Sequence, residues 1–141
     1  MNLSTAAKAA RLSSSVVAGT TDVESASVDM TGFLAVEVTV SLGAITAGAV
    51  TSVKLQGSDD DTTFVDLAGT EVTVADDADE KVVIIDCQHP QHQYVRAVVA
   101  RATQNSAVDS ITSRQYLANA EPVTHDDTVA SSTIIHAPVE A

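Results

Sequence analysis

The chain has 141 residues, a formal net charge of −12 and a sequence pI near 4.3. That length fits one domain of ordinary size with a real buried core. The 45% apolar content excludes bulk disorder, and 18% charged residues exclude a charged helical rod. A surface this acidic is repelled by nucleic-acid phosphates and by anionic lipid, so neither nucleic acid nor membrane is expected as a partner. The seven basic residues are scattered from Lys8 to Arg114 rather than clustered. Cys87 is the only cysteine, so no intramolecular disulfide is available. The first residues lack the apolar run of a signal peptide, and synthesis in a host cytoplasm is the expectation.

In chain order, residues 1–22 are rich in Ala, Ser and Thr. They read as an N-terminal arm, with Thr5 to Leu12 as the longest window of helical period. The body is expected over 23–117. From Phe33 to Leu42 the chain alternates: Leu34, Val36, Val38, Val40 and Leu42 on one face, Ala35, Glu37, Thr39 and Ser41 on the other. This is the period of a half-buried strand. Gly43 and Gly48 bound an expected loop, and Val50 to Gln56 form the next strand. An acidic turn at 57–63 leads to a short strand at Phe64–Leu67, and Glu71–Val74 gives another. The run Val82, Val83, Ile84, Ile85 predicts a strand buried on both faces, which Pro90 ends. Gln93 to Ala102 alternates again, and Ala107 to Leu117 is the last candidate strand. This rhythm predicts an all-β, single-domain antiparallel β-sandwich or jelly roll. Residues 118–141 carry Pro122, Pro138, two histidines and one dense apolar spot, Ile134-Ile135. They read as an extended C-terminal arm, either a flexible tail or a segment that orders on a neighbouring subunit with Ile134 and Ile135 as its anchor.

Residues 57–80 hold nine acids and no Lys or Arg. The template of an EF-hand calcium loop fails there: counting from Asp59, Phe64 takes the glycine position and Thr70 the final glutamate position. Asp59, Asp61, Asp76, Asp77 and Asp79 remain as candidates for a calcium site of another kind, shared between the turns. The plainer expectation is two solvated acidic turns and no metal or other cofactor. Cys87, His89 and His92 are possible zinc ligands, but a fourth is not evident nearby. No nucleophile elbow, phosphate loop or His-Glu-x-x-His motif occurs, so the chain is not expected to be an enzyme.

The stretch Val53-Lys54-Leu55-Gln56-Gly57-Ser58-Asp59-Asp60, followed by Phe64-Val65-Asp66-Leu67-Ala68-Gly69-Thr70 and Val72-Thr73-Val74-Ala75-Asp76-Asp77, resembles small structural proteins of tailed-bacteriophage heads. Further blocks agree: Ser27-Val28-Asp29-Met30-Thr31-Gly32-Phe33, Val83-Ile84-Ile85-Asp86 with Pro90 and Tyr94-Val95-Arg96, and Pro122-Val123-Thr124-His125-Asp126. The chain departs from that family at Gln88-His89, where Tyr-Arg usually precedes the proline. The resemblance implies a head decoration, or cement, protein with an all-β body. Such proteins sit as homo-oligomers, dimers or trimers, on the outer surface of the virion, bind the major capsid protein and stiffen the shell. On that reading Ala9, Arg11, Leu12, Ile134 and Ile135 are the expected subunit or capsid contacts. The Ser-Asp-Asp turn also resembles a hairpin of carbohydrate-binding jelly rolls, so a glycan-binding module on the virion is one alternative. A head–tail connector or neck subunit is another.

Overall fold

A computed structural model describes residues 2–136. One helical turn, α1 (Leu3–Ala6), precedes eleven strands: β1 (Lys8–Ser13), β2 (Val16–Gly19), β3 (Val23–Glu24), β4 (Val28–Asp29), β5 (Phe33–Ile45), β6 (Val50–Ser58), β7 (Val65–Asp66), β8 (Val72–Val74), β9 (Val82–Gln88), β10 (Tyr94–Ala102) and β11 (Ser106–Ala118). They form two antiparallel sheets. The first runs β1-β11-β5-β9, with β2 also on β11. The second runs β3-β10-β6-β7, with β4 on β10 and β8 on β6. No helix among the described residues is long and apolar enough to cross a membrane.

The core is built by alternation. Val36, Val38, Val40 and Leu42 of β5 meet Val53 and Leu55 of β6, Val95, Ala97 and Val99 of β10, and Val108 and Ile111 of β11, all fully buried or nearly so. Burying a Val or Leu side chain stabilises by about 1.5–3 kcal/mol. With so few aromatic residues, these strands supply most of the driving force. The alternation fails at the start of β5, where Phe33 packs against the core and Leu34 stays exposed. The strand also runs past the expected loop to Ile45, which is buried. A bulge against β11 accommodates it at Gly43, where a Cβ would lie 2.8 Å from Asp109 Oδ1.

Three expectations are corrected. Residues 1–22 are not an arm: β1 and β2 pair with β11, and Ala10 and Leu12 fill the core on strand period, so the window Thr5–Leu12 is helical only at its start. Part of the C-terminal segment packs on the body, and residues 137–141 lie outside the described residues. Val123 N–H donates to Thr5 C=O and Asp126 N–H to Ala9 C=O, so residues 122–129 lie along the free edge of β1 in the same chain. Finally, β9 is not buried on both faces. It pairs only with β5, so it is an edge, and its outer side chains Val82 and Ile84 are 56% and 58% exposed.

One end of the sandwich is tied by Arg101 of β10, which is only 4% exposed. Its Nε donates to Thr21 C=O at 2.7 Å, and its Nη1 donates to Val17 C=O at 2.9 Å and Ser106 C=O at 2.6 Å. Carbonyls, not a carboxylate, disperse the buried charge. Gly19 leaves room for the guanidinium, since a Cβ there would sit 3.2 Å from Nη2. Arg101→Ala removes charge-assisted bonds and strands three carbonyls, so it is expected to cost about 3 kcal/mol in urea unfolding. Arg101→Lys is expected to recover less than half of that, because an ammonium lacks the fork that spans three acceptors.

Candidate docking surface

The two outer faces of the sandwich differ. On the second sheet, polar side chains form a ladder across the strands. Arg96 donates from Nε to Gln56 Oε1 at 2.9 Å and from Nη1 to Glu24 Oε2 at 3.2 Å, and its guanidinium lies 3.9 Å over the Phe64 ring. Gln56 Nε2 in turn donates to Asp66, and Lys54 Nζ pairs with Asp66 at 3.0 Å. The register that sets Arg96 opposite Gln56 and Gln56 opposite Asp66 makes this possible. Gln56 first, and then Lys54, hold the Asp66 carboxyl below the usual carboxylate range, while Asp66 raises Lys54.

The outer face of the first sheet carries small residues. Cross-strand rows place Arg11, Thr112, Thr39 and Ile84 side by side, then Ala9, Arg114, Glu37 and Asp86, then Tyr116, Ala35 and Gln88. Its cross-strand rows set Arg11 and Arg114 against Glu37 and Asp86, and Glu121 adds a third carboxylate at one hollow. Three adjoining shallow hollows lie on this face, and Arg114 lines all of them. Leu3, Tyr116 and Leu117 line the first, and Val129 lines the other two. Tyr116 Oη donates to Asp86 Oδ1 at 2.5 Å, and that bond raises the phenol above its ordinary value.

The residues expected as contacts divide. Arg11 is exposed on this face, and its N–H donates to Thr128 Oγ1 at 2.8 Å. Ala9 is half-buried under the C-terminal segment, its N–H donating to His125 Nδ1 at 3.0 Å. Leu12 sits in the core of its own chain, so no partner reaches it. Ile134 and Ile135 are 49% and 74% exposed, in a segment without strand or helix. Arg114 is turned outward by its alternation with the buried Ile111 and Ser113 in β11.

The acidic residues hold turns. Asp76 Oδ2 accepts from Gly48 N–H at 2.7 Å, and Asp79 Oδ2 accepts from Ile45 N–H at 3.2 Å. Asp59 faces His92 Nδ1 at 3.0 Å, Asp61 accepts from Ser27 Oγ at 2.5 Å, and Asp77 is exposed. A calcium site shared between the two turns is overturned by their placement. They bracket β6 at its two ends, and a nine-residue strand spans roughly 27 Å. Among the described residues no three His, Cys, Asp or Glu side chains gather as a metal site. Cys87 is partly buried, and burial pushes its thiol up.

No protein-family model and no curated protein sequence matches the chain. The crystal structure of the PBSX exported protein XepA is similar over 96% of this chain, with a TM-score of 0.53 and 15% sequence identity. The chain spans 45% of that structure's length. At such identity the likeness shows a shared fold.

Two expectations concern stability. Several carboxyls sit below the usual carboxylate range. In Asp29 the Thr31 hydroxyl leads, followed by its N–H; in Asp60 the N–H groups of Thr63 and Thr62 lead; in Asp126 the N–H and hydroxyl of Thr128 do. With Asp66, these groups bind fewer protons folded than unfolded. Their stabilisation is therefore complete above the unfolded carboxylate value, about 4, and is lost as pH falls through the lower folded values. Thermal melts across pH are expected to show the melting temperature falling below about pH 4. Stopping the chain at Ala118 removes four hydrogen bonds to α1 and β1. At about 0.5–1.5 kcal/mol each, calorimetry is expected to show a loss of about 2–6 kcal/mol.

Proposed function

We propose that the protein is a non-enzymatic structural component of a tailed-phage virion that binds the outer surface of the capsid and stabilises it. The observation that carries this reading is the outer face of the β1-β11-β5-β9 sheet. On a chain of net charge −12, it is a surface of Ala, Thr and Ser side chains around Arg114 that carries close to no net charge, Arg11 and Arg114 standing against Glu37, Asp86 and Glu121. Such a face loses little side-chain entropy on docking and is not repelled by an acidic shell. The opposite face, with its charges already paired in a ladder, has less to gain from a partner. The motif resemblance to phage head proteins points the same way, and the fold is shared with the PBSX exported protein XepA. The partner is then the major capsid protein.

Co-sedimentation with purified phage heads tests this. Saturable binding is expected, and Thr39→Arg or Arg114→Glu is expected to weaken it at least ten-fold, about 1.4 kcal/mol. Lys54→Ala, on the ladder face, is expected to leave binding unchanged. Absence of the chain from native particles, by cryo-electron microscopy and mass spectrometry, would sink the reading.

A further inference from the structure

A sheet edge is a row of backbone donors and acceptors that another strand can complete. Among the described residues most edges of this sandwich are closed to that. In the second sheet they are strands of two or three residues, β3, β4, β7 and β8. In the first sheet β2 has four residues, and β1 is covered by residues 122–129 of its own chain. The exception is β9, seven residues long, with no Pro and no Lys between Val82 and Gln88.

Its hydrogen-bonding parity is fixed. At one end Lys81 C=O accepts from Leu42 N–H, and at the other His89 N–H donates to Leu34 C=O, with unbroken register between. Antiparallel bonds alternate, so the odd-numbered residues turn their backbone groups to β5. Val82, Ile84, Asp86 and Gln88 turn theirs outward, with no partner among the described residues. The side chains of Val82 and Ile84 are exposed on the outer face beside them.

We propose that β9 pairs antiparallel with β9 of a second copy, around a two-fold axis at Ile84. The occupant follows from the strand's own pattern. An antiparallel two-fold pair must match residues whose backbone groups both point outward and whose side chains share a face. Centred on Ile84, it sets Ile84 against Ile84 and Val82 against Asp86 of the other copy, and all are of the outward set. Six backbone hydrogen bonds form from these residues alone. Val82 and Ile84 of both copies gather into one apolar cluster, and the two Asp86 carboxylates lie at opposite ends of it, roughly 13 Å apart along the strands. The left-handed residues Glu80 and His89 end the strand on each side, so the edge suits a partner of the same short length. The two four-stranded paths become one eight-stranded sheet. This contact is a property of the free chain and stands or falls apart from capsid binding.

Analytical ultracentrifugation of the full chain in physiological salt is expected to give twice the 14.5 kDa chain mass. Ile84→Lys, at an exposed position, is expected to return it to the monomer with its circular dichroism unchanged. Position also is tested. In a Cys87→Ala background, Ile84→Cys places two thiols at a hydrogen-bonded pair, where Cα atoms stand about 5.5 Å apart, within disulfide range. Oxidation with diamide is expected to link the chains, whereas Val17→Cys in the same background is not. A monomer at millimolar concentration, a dimer that survives Ile84→Lys, or failure of the Ile84→Cys chains to link would overturn the proposal.

Discussion

Arg101 makes the largest set of polar ties between the two sheets among the described residues, beside the bonds from Gln115 Nε2 to Asp29 C=O and from Thr51 Oγ1 to Ser106 Oγ. Its guanidinium extends from β10 in one sheet to carbonyls of β2 and β11 in the other, and to Thr21 in the crossover between them. Valine and alanine pack non-directionally, and a core made mostly of them tolerates sliding. A fork of donors with fixed geometry does not. It also fixes where the N-terminal segment leaves the first sheet for the second, and so the course of β1, on which the C-terminal segment then lies. The buried charge is costly in isolation, and three carbonyl dipoles offset that cost.

The sequence made the central strands legible because burial of one face imposes period two, and β5, β6, β10 and β11 all carry it. It misled at the margins, for identifiable reasons. In β9, four consecutive β-branched residues read as two buried faces, yet period alone says nothing about how many neighbours a strand has. Residues 8–13 were obscured by alanine, which suits helix and strand alike, and only the pairing with β11 decides between them. The acidic turns suggest a shared ion site because nine acids fall within residues 57–80 with no Lys or Arg among them. In space β6 separates them, and several of their carboxylates cap backbone N–H groups instead. Arg101 gave no local signal, since its acceptors lie between five and 84 residues away.

The contrast between the two outer faces unites the remaining observations. One has its charges satisfied by neighbours in the register and is complete as it stands. The other is shallow, small-residued and close to neutral, and it ends at β9. A two-fold axis perpendicular to the sheet at Ile84 leaves the outer faces of both copies on the same side. Under the proposed function, a partner lattice with matching spacing would engage two surfaces at once, and the second engagement would cost less entropy than the first.

The C-terminal segment along β1 has a further meaning in this setting. Strand addition is open-ended when each subunit offers two bare edges: every pairing exposes another, and the product is a fibre. With β1 occupied by its own chain, each subunit has a valency of one. Growth of the sheet terminates at two copies, and the tail acts as a built-in chain stopper.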